Sequence, residues 1–565
     1  MSLLRAIISA MLRRAAILML VIVLSAVTPQ WAAAQEGPAP YSSAPAGYIV
    51  LIHPDGSLVV GDQVTFQVQA PPGVDMNKKS IQVGLSSANL PPFSQADFGL
   101  SGFENRFQAI LPWAWDTSRL TAGPYRLSFQ VKPDGPTWEQ TVILIPALPS
   151  QAQWAVARSA CCVINYITGT AAARDIEQIK ALADAQANDV SAKLGAAFKD
   201  PIPVDLMSKV LGHGGFTSNE VYISYLDRDY AGDNVAVVLH HEMVHQLDNQ
   251  LGGDFRPTFF VEGLAVYLTG GHFKLEPLLQ RAAALPGLDL YLPLGPLADN
   301  FYASQHEIGY MEAAALITYM VNTWGWEPFA NFYRNIKPVA NSGQAAAIDA
   351  ALIIFYRVSL KQMEEQFLDY LAHIPVNPDL RQDVRLTIAY FDAVRRYQRV
   401  LDPSTYFREA WLPDAPEMRK RGITADLLRH PNATQNQALE LLLFNAREDL
   451  NAGRYDQAEQ GIRAVNAVLS DLEQGAPDAL FTHPLAAQMY AVAGVLDECG
   501  MEPQHVTLEA QKGQAIVIVT WPKLQAITLV KTSQGWQTQP ACQPVFLGTF
   551  PGLRAAWQEW QNLTP

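Results

Sequence analysis

The chain has 565 residues, a formal net charge of −14 and an apolar fraction of 49% that includes 10% aromatic residues. This length exceeds what one hydrophobic core supports and predicts several domains, while the apolar content excludes a largely disordered chain. The acidic balance, with no basic stripe along the sequence, argues against nucleic acid or an anionic membrane surface as a partner.

Residues 1–34 have the pattern of an export signal. Arginines precede the apolar run Ala15–Leu24, and Ala32-Ala33-Ala34 offers a small-residue cleavage site. The run is shorter than a bilayer span, which favours a cleaved signal over the alternative of a single-pass anchor. Residues 35–46 are rich in Gly, Pro, Ser and Ala and predict a linker. We therefore expect an exported protein, secreted or in the cell envelope, with no stable membrane span.

Residues 47–147 contain short runs of alternating apolar and polar residues. The strand-like runs cover 48–52, 57–60, 63–68 and 125–131, and turn signals such as Asp55-Gly56 separate them. This pattern predicts an immunoglobulin-like β-sandwich. It contains no metal-binding or nucleophilic constellation, so we interpret it as a spacer or binding module.

Residues 148–378 mix helical and strand-like patterns. Before the central motif lie a helix-like run at 172–198 and a strand candidate at 220–225. The motif helix has Asp233 or Asn234 as its cap and Gly252-Gly253 as its stop. Two further helices are predicted, at 258–269 and 309–323.

The central motif is His241-Glu242-x-x-His245. On a helix, residues four apart project from one face about one turn apart, the spacing that two nitrogen ligands need to hold one tetrahedral zinc ion. Glu242 is placed to polarise a water on that metal. Glu262, 17 residues after His245 in the next predicted helix, is the candidate third ligand and leaves one position open.

A pair of surface histidines on a charged helix is the alternative reading of this motif. Apolar flanks disfavour it and predict a mostly buried helix; they are Val235, Val237, Val238, Met243, Val244 and Leu247. Ionisable groups on a buried helix need a partner, and a metal ion meets that need. We interpret the site as a zinc hydrolase centre with one Zn²⁺ per chain.

The segment 240–267 resembles the gluzincin superfamily, and more narrowly the bacterial peptidase MA-like zinc metalloproteases related to thermolysin. The resemblance covers about residues 150–375 and rests on the central motif and on Glu262-Gly263-x-Ala265. It implies an α+β zincin catalytic domain over 148–378 and a ligand role for Glu262. The third histidine of metzincins and the G-x-M-E-N segment of zinc aminopeptidases are absent from the sequence.

Zinc-assisted hydrolysis of an amide also needs a hydrogen-bond donor for the developing oxyanion. Tyr302, His306 and Tyr310 lie in the right part of the sequence. We choose Tyr310, because it matches the tyrosine that begins the helix after the ligand glutamate in the family; a packing tyrosine is the alternative. His272 could line the cleft, but an ordinary loop histidine is the favoured interpretation.

Two further polar residues flank the ligands. His240 points about 100° away from His241 on a helix, which favours packing or indirect support over a ligand role. Asp248 either orients a ligand imidazole or is a solvated carboxylate at the end of the helix.

The remainder of the chain predicts two more domains. Residues 379–475 are helical and include one pair of helices that resembles a tetratricopeptide repeat, at 438–450 and 453–459. Residues 476–565 carry strand-like runs and predict a small α+β domain.

The four cysteines are few for an exported chain of this length. Cys499 and Cys542 could pair across the C-terminal unit. Cys161 and Cys162 are adjacent, and neighbouring cysteines rarely bridge without strain, so we expect them to have a buried structural role. The absence of a Cys-x-x-Cys motif disfavours a cysteine metal site.

The leading hypothesis is an exported zinc metallopeptidase that hydrolyses peptide or protein substrates, with Glu242 as general base. A zincin-fold binding or assembly protein without turnover is one alternative, and the intact glutamate and ligand set argue against it. A zinc amidohydrolase that acts on non-peptide amides is the other.

Overall fold

The computed structural model describes residues 44–548 except for 46, 87–90, 101–105, 148–151, 213, 232–233, 273, 407–412, 477, 502–504, 510–512, 520–523, 534, 539–541 and 543–544. The predicted export signal, residues 1–34, lies outside the described residues, and so does the predicted linker apart from Ala44 and Pro45. Within the described part, no helix has the length and apolar character needed to cross a membrane.

Two β-sheets form the N-terminal region. Their strands are β1 (Ile49–His53), β2 (Leu58–Val59), β3 (Gln63–Gln69), β4 (Ser80–Leu85), β5 (Ser94–Asp97), β6 (Gly99–Leu100), β7 (Phe107–Asp116), β8 (Gly123–Lys132) and β9 (Thr137–Ile145). One sheet has the order β1-β3-β7-β6 and the other β2-β9-β8-β4-β5. Strand β9 alternates exposed and buried residues, as a strand with one face on a core does.

The two sheets share one buried cluster of side chains. Phe66 comes from the first sheet and packs edge-on against Phe129 of the second, with ring centroids 5.8 Å apart. Trp138 stacks on the other side of Phe129 at 5.3 Å. Aromatic residues thus pack between the two sheets, which face each other. The assignment of an immunoglobulin-like fold stays a prediction.

A third sheet positions the metal-motif helix. Its strands are β10 (Trp154–Arg158), β11 (Cys162–Ile167), β12 (Ile202–Met207), β13 (Gly215–Thr217) and β14 (Val221–Ser224), in the order β10-β11-β12-β14-β13. Strands β11, β12 and β14 are parallel, whereas β13 pairs with β14 in the antiparallel sense and forms an edge. Strands β12 and β14 are almost fully buried, in keeping with their mostly apolar residues.

Helices pack around this sheet and extend from it. They are α1 (Ala171–Leu194), α2 (Val235–Leu251), α3 (Thr258–Thr269), α4 (Leu278–Ala284), α5 (Leu294–Asp299), α6 (His306–Trp324), α7 (Trp326–Arg334), α8 (Gln344–Tyr356) and α9 (Leu360–Ala372). The sheet and these helices share a single large hydrophobic cluster. Helix α6 lies at its centre, where most of its residues are buried.

The C-terminal part is first helical and then β. Its elements are α10 (Pro378–Leu401), α11 (Ala415–Arg421), α12 (Ala425–Leu428), α13 (Thr434–Asn451), α14 (Tyr455–Glu473), α15 (Pro484–Glu498), β15 (His505–Glu509), β16 (Gln514–Val519), β17 (Leu524–Thr532), β18 (Gly535–Thr538) and β19 (Val545–Gly548). One hydrophobic cluster contains residues of α10, α13, α14 and α15 together with residues of this last sheet. The two regions that the sequence divides at residue 475 therefore pack on a common core.

Both pairs of cysteines form disulfides. Cys499 and Cys542 are joined, as the sequence suggested. Cys161 and Cys162 are joined to each other, an arrangement that neighbouring cysteines rarely adopt. They lie at the turn between β10 and β11, where the carboxylate of Asp184 accepts the backbone N–H of Cys161 at 2.8 Å and braces the turn.

Candidate metal centre

Helix α2 presents both motif histidines on one buried face. The side chain of Asn234 caps the helix by accepting the backbone N–H of Ala236 at 2.9 Å, whereas the alternative cap, Asp233, lies outside the described residues. The helix ends at Gly252, whose φ of 74° is readily available only to glycine. His241 and His245 are 8% and 11% exposed.

Helix α3 brings the candidate third ligand to this face. Glu262 is 8% exposed and sits one residue before Gly263. A Cβ on Gly263 would lie 2.8–3.0 Å from atoms of Ala313 on helix α6, so only glycine allows the two helices to pack this closely. The glycine of the Glu-Gly-x-Ala sequence thus sets the depth at which Glu262 enters the site.

The three ligand atoms form a compact triangle. Nε2 of His241 and Nε2 of His245 are 2.9 Å apart, and each lies 3.2 Å from Oε2 of Glu262. Ligand atoms at about 2.0–2.1 Å from a tetrahedral zinc ion are separated by roughly 3.3 Å. Two imidazoles and one carboxylate at this spacing therefore fit a divalent zinc ion, with small adjustments of the side chains.

Burial and neighbouring charges shift the pKa values of the three residues in different directions. Burial lowers the pKa of His241 to about 4. Burial also opposes the charge on His245, but the carboxylate of Glu262 outweighs it and raises the pKa of His245 to about 9. In turn, the charge on His245 holds the pKa of Glu262 well below its ordinary value despite burial. Metal binding to this set would displace the proton of His245.

Glu242 lies beside the triangle without belonging to it. The side chain is buried, and among the described residues its Oε2 has no hydrogen-bond partner. Burial raises the pKa of Glu242 to about 7, the range in which a carboxylate accepts and returns a proton efficiently. The hydroxyl of Thr217 on β13 donates to the backbone carbonyl of Glu242 at 3.2 Å and ties the edge strand to this turn of the helix.

Two tyrosines, Tyr302 and Tyr310, lie next to Glu262. The hydroxyl of Tyr302 donates to Oε1 of Glu262. Tyr310 is buried and its ring centroid lies 6.0 Å from that of His241. Burial, and then the charge of Glu262, raise the pKa of Tyr310 far above its ordinary value, so the phenol stays protonated as a donor. The sequence did not indicate the contact of Tyr302, since it spans 40 residues.

His272 belongs to the same site, which contradicts its interpretation as an ordinary loop histidine. Its Nδ1 lies 2.9 Å from Oε1 of Glu307, and its ring stacks on Tyr310 with centroids 4.0 Å apart. His306 is buried next to both rings, 4.4 Å from Tyr310 and 5.0 Å from His272 between centroids. The close approach of helix α6 to helix α3 is what brings His272 to these residues.

The structure settles the roles of His240 and Asp248. His240 bonds to the hydroxyl of Thr269 and to Asp189, each at 2.8 Å, so it supports the helix and turns away from the ligands. The prediction of a solvated carboxylate is wrong for Asp248, whereas its charge does act on the candidate ligand His245. Asp248 is 1% exposed and accepts hydrogen bonds from Arg256 at 2.6 Å and from the hydroxyl of Tyr333 at 2.8 Å. It is therefore a buried anchor for the end of α2.

One cavity of about 280 Å³ is lined by the three candidate ligands together with Glu242, the two tyrosines, His272 and His306. Its walls come from the edge strand, the two ligand helices, the loop after α3 and the start of α6; they are Gly215, Phe216, Thr217, Val238, His241, Glu242, His245, Asn249, Val261, Glu262, His272, Tyr302, His306 and Tyr310. The five residues predicted from the sequence for metal binding and catalysis thus meet in a single polar pocket.

Comparisons with known proteins give a distant likeness among solved structures. No family model matches the chain, and no curated protein matches it significantly. Among solved structures, the chain is similar to IMPa from Pseudomonas aeruginosa, determined in complex with an O-glycopeptide, at 11% sequence identity and a TM-score of 0.18. That alignment covers 71% of this chain and 53% of the other, so the chain spans about half the length of the structure it matches.

Proposed function

We propose that this protein is a zinc-dependent metallopeptidase of the gluzincin type. The observation that carries the proposal is the triangle of His241, His245 and Glu262, whose ligand atoms lie 2.9–3.2 Å apart beside the carboxyl group of Glu242. A structural metal site would have no use for a buried carboxyl group held out of the ligand set. An α+β zincin domain over 148–378 is part of the same proposal.

His241, His245 and Glu262 would hold the ion. A zinc ion bound there supplies Lewis acidity, which makes a water more acidic and polarises the scissile carbonyl. Glu242 then accepts the proton of the attacking water on its free Oε2 and returns it to the leaving amine. Burial raises the pKa of Glu242 in the metal-free site to about 7, which favours return of the proton to the leaving amine.

We propose that a peptide substrate binds along the edge strand β13. Strand β13 is the edge of its sheet and contributes Gly215, Phe216 and Thr217 to the cavity wall. An extended substrate segment can add to such an edge through main-chain hydrogen bonds, which would place a backbone carbonyl next to Glu242. Gly215 packs tightly, since a Cβ there would meet the carbonyl oxygen of Tyr222 at 2.6 Å, so the strand has a fixed position.

Tyr310 is our proposed donor to the oxyanion. It lines the cavity, and its phenol can donate a hydrogen bond without carrying charge. Such a bond strengthens when the carbonyl oxygen becomes negative. Tyr302 also lines the cavity and donates to Glu262; we choose Tyr310 because it matches the tyrosine at the start of the family's helix.

We also propose that the chain is exported, which is supported by the basic, apolar and small-residue pattern of residues 1–34. A digest of a broad peptide library by the chain that begins at Gln35, with and without a chelator, tests the function. Chelator-sensitive cleavage that Glu242→Gln abolishes supports a peptidase. Tight zinc with no cleavage would favour a binding protein, and hydrolysis of non-peptide amides alone would favour an amidohydrolase.

A further inference from the structure

A second group of metal-ligand side chains lies next to the first. It consists of His272, from the loop after α3, and of His306 and Glu307, the first two residues of α6. One ligand atom from each lies within 4.8 Å of the other two. The side chains are buried: His272 is 11% exposed and Glu307 is 2% exposed. The donor types are those of the first triangle, two imidazoles and one carboxylate.

The described residues on either side of His272 are held by close backbone contacts and by an ion pair. Gly270 has a φ of 87°, and a Cβ on Gly271 would lie 1.7 Å from the carbonyl oxygen of Lys274, so the turn requires glycine at both positions. The Lys274 ammonium group pairs with Asp383 on helix α10 at 2.8 Å. His272 is therefore placed against α6 before any ligand arrives, as a preorganised site requires.

The charges around His272 favour a cation. Three carboxylates, those of Glu307, Glu276 and Glu262, act electrostatically on its ring. Arg395 interacts with Glu307 and compensates part of this negative charge. Glu276 is paired with Arg281 at 2.7 Å and Glu262 belongs to the first triangle. The carboxylate of Glu307 and two imidazoles remain, a ligand set that divalent first-row transition metals accept.

We propose that His272, His306 and Glu307 bind a second divalent transition-metal ion of the zinc class. His272 and His306 line the same cavity as the first triangle, and the ring centroids of His241 and His272 are 5.9 Å apart. A second ion would add positive charge to the cavity wall beside the first site. This inference concerns metal binding and does not depend on peptidase activity.

Metal content of the purified full chain tests the proposal, after stripping and reloading with Zn²⁺ or Co²⁺ alone. We expect the parent to bind two equivalents, and His245→Asn and His306→Asn to retain one each. Glu307→Gln keeps the shape of the side chain and should also lose one ion. His373→Asn, which alters an exposed histidine outside the cavity, should retain both, and circular dichroism checks that every variant is folded.

Titration of the parent with Co²⁺ gives a readout that needs no variant, because two sites produce two equivalents of ligand-field absorption. A parent that binds one ion, lost in His245→Asn and kept in His306→Asn, overturns the second site and leaves the proposed function intact. One ion that is lost only in His306→Asn would instead support the second site and contradict the zinc hydrolase centre.

Discussion

Tyr302 donates its hydroxyl hydrogen to Oε1 of Glu262, while Oε2 of the same carboxylate lies 3.2 Å from Nε2 of His241. The hydrogen bond from Tyr302 therefore orients Oε1, and Oε2 faces the two histidines as the candidate ligand atom. Hydrogen bonds of this kind fix the direction of a ligand and tune its basicity.

Removing that hydroxyl should weaken the metal site. We expect Tyr302→Phe to lower zinc affinity by about 10- to 100-fold, because the Glu262 carboxylate loses its orienting donor. Competition with a chromophoric chelator measures the change. Tyr370→Phe, which alters a tyrosine that packs on Tyr319 and does not line the cavity, is the control. Equal affinities of the two variants would show that Tyr302 does not support the ligand.

Glu242 should act in the chemistry and not in metal binding. Glu242→Gln preserves the shape of the side chain but removes the proton acceptor, so we expect zinc to stay bound while turnover falls by about 10² to 10⁴. Zinc analysis and peptide cleavage are measured on the same preparation, with Glu365→Gln on exposed surface as the control. A variant that loses its zinc, or that cleaves at the parent rate, rules out the role of general base.

The metal-free protein should show a pH dependence that originates in Glu242. Burial raises the pKa of Glu242 from its ordinary value of 4.5 to about 7, so between these values the folded state binds more protons than the unfolded chain. Relative to its ionised form, protonated Glu242 contributes to the free energy of unfolding. This contribution is fully present below the pKa of the unfolded chain and is lost as the pH rises through the pKa of the folded state. Glu242→Gln cannot ionise and should be spared this loss.

Denaturant unfolding of chelated parent and Glu242→Gln at about pH 5 and about pH 8 measures the difference. Between the lower and the higher pH, we expect the free energy of unfolding of the variant to rise relative to that of the parent by on the order of 3 kcal/mol. Parallel behaviour of the two proteins across this range would mean that the Glu242 carboxyl group is not destabilised by burial.

Tyr310→Phe separates a catalytic tyrosine from a packing one. Because the ring and its packing survive, a structural residue should lose little activity. An oxyanion donor should lose about 10- to 1000-fold in kcat with KM much less affected. Tyr319→Phe, on the same helix and not lining the cavity, is the matched control. Should Tyr310→Phe match the parent while His306→Ala is inactive with zinc at the first site, the role belongs to His306.

Asp383 on helix α10 should be required for stability and for the cavity wall. It pairs with Lys274 and with the fully buried Arg281, next to the loop of His272. We expect Asp383→Asn to cost about 3 kcal/mol, since a buried guanidinium loses a charged partner. Asp254→Asn breaks an exposed pair with Lys337 and should cost less than about 1 kcal/mol. Similar midpoints of urea unfolding for both variants would contradict this prediction.

The local parts of the site are determined by the sequence alone. The four-residue spacing of His241 and His245 puts both on one helical face, and Asn234 and Gly252 bound that helix through side-chain capping and a positive φ. Such features depend on neighbours within one turn, and their chemistry is therefore readable in the residue order. The helix of Glu262 could be located in the same way from its periodic apolar residues and from Gly270.

Tertiary structure alone decided which distant groups meet these helices. Tyr302 reaches Glu262 across 40 residues, and His272 pairs with Glu307 across 35. Asp248 is buried and accepts a hydrogen bond from Tyr333 of α7, so the prediction of a solvated helix end is wrong. Contacts of this range depend on how closely helices pack, and here Gly263 sets that distance against Ala313. The positions of Tyr302 and His272 in the site therefore depend on how the helices cross and pack, which a local sequence pattern does not determine.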